Sequence, residues 1–279
     1  MRNLLSAGFA RLRRSKAFWL LLIALFLLAT GTMLNAARRA KISAPPPVIE
    51  NHYFDTGVYA IIFVSAFVAL FLGTEYSDGA LRNKLIVGHS RDGVYLANLV
   101  VCALASLCFT AAWMLGGLVG IPGLGPFTVG TAKLLTAVAV CALAAVSTSA
   151  IFLLLAMLSS NKAVTAVVCI LCSLALIVAA SALYHNLCEP EISYGGMVFT
   201  IDGAQFLEPA PNPRYVAEPL RSVFAALLNI LPTGQLILLA NITGGDGLAI
   251  YPVQLAGSAG LTALLTGLGL ALFQRKDLK

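Results

Sequence analysis

The chain has 279 residues, 59% hydrophobic and 11% charged, whereas an ordinary soluble domain carries about 25% charged residues. Seven windows of eighteen or more uncharged residues occur, at 17–34, 56–73, 94–121, 134–158, 163–184, 222–245 and 247–273, too many for a soluble core to hide. These runs are too long and too uniformly apolar for barrel strands, so the reading is an all-α integral membrane protein. No nucleic-acid partner is expected from the formal net charge of +6, which belongs instead to the membrane flanks.

In chain order, residues 1–16 predict a short interfacial helix. Leu4, Leu5, Gly8, Phe9 and Leu12 recur at helical spacing, while Arg2, Arg11, Arg13 and Arg14 supply charge for the headgroup layer. Basic residues ahead of an apolar run also resemble a signal peptide, but the run exceeds the ~7–15 apolar residues of a cleaved one. A retained anchor is expected. Spans then follow at about 17–34, 56–73, 94–120, 130–158, 163–184 and 247–273. A loop with Pro45, Pro46 and Pro47 separates the first two, and a Pro122/Gly123/Gly125/Pro126 turn joins the third and fourth. Ser159, Ser160, Asn161 and Lys162 link the fourth and fifth.

The window 222–245 stands apart, because Asn229, Pro232, Thr233, Gly234, Gln235 and Asn241 interrupt it. It predicts a re-entrant or interfacial segment within an outer region, 185–246. Charge asymmetry agrees with six spans and both termini cytoplasmic. Twelve of the eighteen basic residues then lie inside and eight of the twelve acids outside, whereas a seventh span would move the "QRKDLK" tail to the outer side. Small residues four apart, Ala112/Gly116/Gly120 in the third span and Ala259/Ala263/Gly267/Ala271 in the sixth, mark packing faces. Such faces serve either contacts within the chain or contact with a second protomer.

The cytoplasmic segment 74–92, within "GTEYSDGALRNKLIVGHSRDGVYLAN", is the most informative. A charge at the bilayer centre costs ~2.5–3.5 kcal/mol on insertion scales, so Glu75, Asp78, Arg82, Lys84, Arg91 and Asp92 belong at the surface. Asp78 and Arg82 are spaced for an (i, i+4) helical pair, and Leu81 and Leu85 share a face. Gly88 predicts a helix stop, Ser90 an N-cap for the next helix, and Asp92 sits in its favourable first turn.

Gly73, Glu75, Tyr76, Asp78, Gly79, Ala80, Arg82, Asn83 and Lys84, followed by Gly88, Ser90, Arg91 and Tyr95, resemble the signature of bacterial type-2 ABC exporter permeases. That pattern is roughly G-x-E-x-x-x-G-T-x-R-N/K followed by G-x-S-R, with Ala80 here in place of the usual Thr. "LPTGQ" before the last span and the "FQRKDLK" ending are similar to the same family. The resemblance implies a coupling helix over 75–88 that docks into a separate ATP-hydrolysing subunit. Glu75 would transmit motion, and Arg82 and Lys84 would contact the ATPase or inner-leaflet phosphates. Arg11, Arg13 and Arg14 would lie on a second contact helix, and Pro232, Gly234 and Gln235 near an outer gate. It also implies two permeases, identical or different, working with two ABC ATPases in the bacterial cytoplasmic membrane, with ATP and Mg on the partner subunit.

The chain shows no chemistry of its own. There is no G-x-x-x-x-G-K-[ST] phosphate loop, so no ATP site, no catalytic residue and no cofactor is expected here. His52, His89 and His185 are scattered, which predicts no metal site. Gly88-His89-Ser90 lacks an intramembrane base for a serine nucleophile. Cys102, Cys108, Cys141, Cys169 and Cys172 fall in apolar windows, where they act as small hydrophobes; only Cys188 lies in a polar loop. Asn241-Ile242-Thr243 is a glycosylation sequon only in a secretory eukaryotic setting. The uncharged windows hold no Asp, Glu, Lys, Arg or His, which disfavours an ion-coupled carrier or channel, the principal alternative, and suits a hydrophobic or amphipathic cargo: peptide, toxin, drug or lipid.

Overall fold

The computed structural model describes residues 1–42, 48–124, 126–159, 161–193, 197–200, 203–206, 208–243 and 247–276. The triple proline at 45–47, Gly125, Ser160 and residues 277–279 of the tail lie outside them.

Among the described residues, six helices are long and apolar enough to cross a membrane. The first break in the chain is local. Helices α1 (Arg2–Arg14) and α2 (Lys16–Ala40) are separated at Ser15, whose extended backbone turns the chain and whose hydroxyl accepts from Phe18 N at 3.3 Å. α1 buries Leu4, Gly8 and Leu12, the expected face, and packs on α5 (Arg91–Leu118). α3 (Ile49–Ser77) is the central rod and packs against α2, α5, α6 (Thr131–Leu158), α7 (Lys162–Cys188) and α9 (Pro232–Ala240). Its charges sit at its ends. The twenty residue steps from Asp55 to Glu75 rise about 30 Å, the thickness of the hydrocarbon core. At its first turn, fully buried Glu50 accepts from the Val129 N–H (2.9 Å), the Thr128 N–H and the Thr128 hydroxyl (2.7 Å), tying the loop before α6 to α3.

The small face of the third span serves contact within the chain. A Cβ built on Gly120 would lie 2.6 Å from the Met33 Cβ, and one on Gly116 would lie 2.5 Å from the Phe26 carbonyl oxygen. Those residues let α2 and α5 approach closely, as dispersion-driven packing in lipid requires. The matching face of α10 (Tyr251–Arg275) is different: Ala259, Ala263, Gly267 and Ala271 are exposed. α10 instead rests on α6 through the Ser147 hydroxyl, which donates to the Ser258 carbonyl at 2.8 Å.

The interrupted window forms two helices, α8 (Leu220–Ile230) and α9, bent by 94°. Pro232 opens α9 and lacks the N–H a continuous helix would need, while Leu231 before it is extended, as a residue preceding proline prefers. Between α7 and α8 lie short strands that the sequence reading did not anticipate. β1 (Ile192–Ser193) pairs with β4 (Ala210–Pro211), and between them β2 (Met197–Thr200) pairs with β3 (Gly203–Phe206), both antiparallel.

Candidate coupling site

The charged segment divides differently from the helix expected over 75–88. α3 continues through Ser77, so Glu75 and Tyr76 belong to the end of a spanning helix rather than to the surface helix. Gly79 then adopts φ 66°, a left-handed turn that L side chains disfavour, and α4 (Ala80–Ile86) begins beyond it. Gly88, at φ 95°, ends that unit, and the Ser90 hydroxyl caps α5 by accepting from Gly93 N at 3.1 Å. The expected Asp78–Arg82 helical pair is not made among the described residues. The turn at Gly79 separates their helices, and Asp78 Oδ1 instead accepts from the Ser77 hydroxyl at 3.2 Å.

Glu75 is the centre of the site, only 2% exposed. Its carboxylate meets the Arg11 guanidinium of α1 at 2.5 Å, the Lys84 ammonium of α4, and the Asn98 amide of α5 at 3.0 Å. Four helices converge on one side chain. Arg11 is held from two further directions: it donates to the Phe71 carbonyl at 3.2 Å, and its guanidinium lies 3.6 Å from the centre of the Phe71 ring. Burial pulls the Arg11 pKa below its ordinary value, and Glu75 opposes that shift. The guanidinium nonetheless stays charged, as arginine does in proteins.

A second junction adjoins the first. Tyr76 donates its hydroxyl to the Met157 carbonyl at 2.6 Å. The Lys276 ammonium donates to Tyr76 Oη (3.1 Å) and to the carbonyls of Met157 (2.9 Å) and Ser159 (3.1 Å). Arg91 caps the end of α10, donating to the carbonyls of Phe273 (3.0 Å), Gln274 (3.2 Å) and Lys276, where a cation also complements the helix dipole. Asp92 accepts from the Gln274 amide at 2.8 Å. The ends of α3, α5, α6 and α10 are thereby joined at one membrane face.

What remains free is the outer side of α4. Leu81 is buried beneath the helix, whereas Arg82 and Asn83 are exposed and Ile86 and Val87 stand 72% and 78% exposed. Arg13 and Arg14 are exposed on α1. The segment anticipated near an outer gate is interior: Pro232, Gly234 and Gln235 are all buried. The Gln235 amide donates to the carbonyls of Asn229 and Gln254, each at 2.9 Å, and accepts from the Ser258 hydroxyl at 2.8 Å. That set holds the α8–α9 elbow against α10. Among the described residues, no group of three or more His, Cys, Asp and Glu converges as a metal-ligand set.

Sequence reasoning did not single out Asn98 or Lys276. Asn98 carried one usable signal, an amide inside an otherwise apolar span. Lys276 carried none beyond its place in a basic tail.

A family model described as ABC-2 family transporter protein matches residues 4–179, from α1 into α7, and so takes in the whole Glu75 junction. The chain belongs to the ABC-2 transporter family. Comparison with curated proteins gives no match. As an ABC-2 permease, this multi-pass chain is a membrane subunit. The signature residues sort into two groups in it. Glu75, Tyr76, Lys84 and Arg91 bind the permease's own helices together, and Arg82 and Asn83 are left on its surface.

Proposed function

We propose that this chain is the permease subunit of an ATP-driven exporter, energised by separate ABC ATPase subunits that carry ATP and Mg. It pairs with a second permease, identical or different, and moves a hydrophobic or amphipathic substrate (peptide, toxin, drug or lipid) outward. Both termini face the cytoplasm, and the chain lies in the bacterial cytoplasmic membrane.

The observation that carries the reading is the Glu75 junction. α4 presents an exposed mixed surface of Arg82, Asn83, Ile86 and Val87, and Lys84 of the same helix is paired with a buried carboxylate at the end of the central rod. Force applied to α4 by a docked partner passes through Glu75 directly into α3, α1 and α5. A solvated connector would need neither the buried acid nor its three partners. On α3 the carboxylates stand near the helix ends, about 30 Å apart from Asp55 to Glu75, which supports this reading over ion coupling through a mid-membrane acid.

The test is co-expression with candidate ABC ATPases, followed by purification and reconstitution. A stoichiometric ATPase partner and ATP-driven transport lost in E75A, with membrane insertion intact, are the expected results. Ion flux by the chain alone, or full transport in E75A, would refute the proposal.

A further inference from the structure

A cleft opens beside the elbow between α1 and α2. Arg11 and Arg14 of α1, Lys162 at the start of α7 and Asp78 at the end of α3 line it above Leu70 and Phe71, with a cavity volume of about 400 Å³. Three cations therefore face one carboxylate. The charge of Arg11 is answered by Glu75 outside the cleft, but Arg14 and Lys162 have no ionic or hydrogen-bonding side-chain partner among the described residues. Set against Asp78, Arg14 and Lys162 leave the cleft one positive charge in excess over an apolar floor.

Their placement is built into the packing. Lys162 reaches the cleft because α7 begins directly against Gly73: a Cβ there would lie 2.9 Å from the Lys162 Cγ and 3.3 Å from its Cα. Ser15, whose hydroxyl starts α2, holds α1 at the turn that brings Arg14 to the same opening. The depth is informative as well. The cleft lies where α2 and α7 begin and α3 ends, the level at which three spanning helices leave the apolar zone. Leu70 and Phe71 lie one turn deeper. Beyond them, α2 and α7 carry exposed apolar side chains, among them Leu20, Ile23, Val164 and Val167. A ligand matching this arrangement is anionic at headgroup depth and apolar below it.

We propose that this cleft binds the phosphodiester headgroup of an anionic phospholipid. Arg14 and Lys162 contact the phosphate, and Leu70 and Phe71 contact the start of an acyl chain. Basic pockets between spanning helices hold acidic headgroups by this combination of charge and apolar contact. The single negative charge of the bound lipid offsets that excess, and the lipid fills the wedge between α1 and α7, fixing the elbow next to the Glu75 junction. The proposal does not depend on an ATPase partner, so its failure and that of the exporter reading are separate outcomes.

The test uses the full chain purified in mild detergent and mixed with phosphatidylglycerol or phosphatidylcholine of identical acyl chains, with retained lipid counted by native mass spectrometry. Wild type is expected to retain phosphatidylglycerol preferentially, and R14Q/K162Q to retain about thirtyfold less, as removal of two lipid-facing basic residues implies. Both side chains are exposed, so the fold survives their replacement. R14K/K162R should restore retention. K16Q, which removes a neighbouring exposed charge outside the cleft, should leave it unchanged. Equal retention of the two lipids, or equal loss in K16Q, would overturn the site. Inorganic phosphate that raises the melting temperature of wild type but not of R14Q/K162Q, with no preference for phosphatidylglycerol, would overturn the lipid assignment in favour of a soluble anion.

Discussion

The Glu75 junction makes a quantitative prediction, best posed as a double-mutant cycle with Lys84. Removing the carboxylate (E75Q) leaves two cations and an amide facing one another in a site where Glu75 is only 2% exposed. Breaking a fully buried ion pair from one side costs about 3–5 kcal/mol. Here the Arg11 and Lys84 side chains retain 30% and 21% exposure, so solvent relieves part of that cost. A loss of about 2–4 kcal/mol is expected for E75Q after this discount. K84M should cost less, about 1 kcal/mol, because Glu75 keeps its charged hydrogen bonding with Arg11. The pair should then couple by about 1 kcal/mol, since once Glu75 is gone the loss of Lys84 costs little further. Equilibrium unfolding of the four proteins in mixed detergent micelles measures this. A spin label on an introduced cysteine at Ile86 should become more mobile in E75Q as α4 is released. Additivity within about 0.3 kcal/mol, together with unchanged label mobility, would refute the claim that Glu75 ties α4 to the rod.

Three other outcomes follow from the same geometry. R82E changes an exposed residue and should alter stability by no more than about 0.5 kcal/mol, yet reduce ATPase co-purification about tenfold if the outer side of α4 is the docking surface. Replacing the buried amide in Q235L abandons its bonds to Asn229, Gln254 and Ser258 and should cost about 2–4 kcal/mol, read as a lower unfolding midpoint; no shift would show that the α8–α9 elbow is held otherwise. Burial lowers the Lys276 pKa, so between that lowered value and 10.5 the unfolded chain binds a proton the folded chain has released. Stability contributed at this site therefore rises with pH across that window, and the gap in unfolding midpoint between wild type and K276Q should widen toward pH 10.5. A gap that narrows would contradict the burial of this ammonium.

Much of this protein was legible without coordinates because the bilayer imposes local rules. Span number, the helical face of Leu4, Gly8 and Leu12, the Ser90 cap and the break at Pro232 each depend on residues within a few positions of one another. Local rules failed where two signals competed. Asp78 and Arg82 have the spacing of a helical pair, but Gly79 between them turns left-handed and outranks a contact worth a few tenths of a kcal/mol. Glu75 was likewise recognisable as important from its motif, but not as buried.

Its partners were beyond the reach of the sequence. Arg11 and Asn98 become neighbours of Glu75 only because α1 packs on α5 and α5 on α3. In the same way Arg91 finds the end of α10, and Lys276 finds Tyr76, from opposite ends of the chain order. In lipid, apolar periodicity says that a helix spans but hardly which neighbour it chooses, since the tails are as apolar as the side chains. That choice rests on close packing at residues such as Gly73 and Gly116 and on satisfying the few charges left at the ends. The sequence by itself therefore determined how many helices cross and where their charges must surface. Only the tertiary structure decided which of those charges are consumed in holding helices together and which remain for a partner or a lipid.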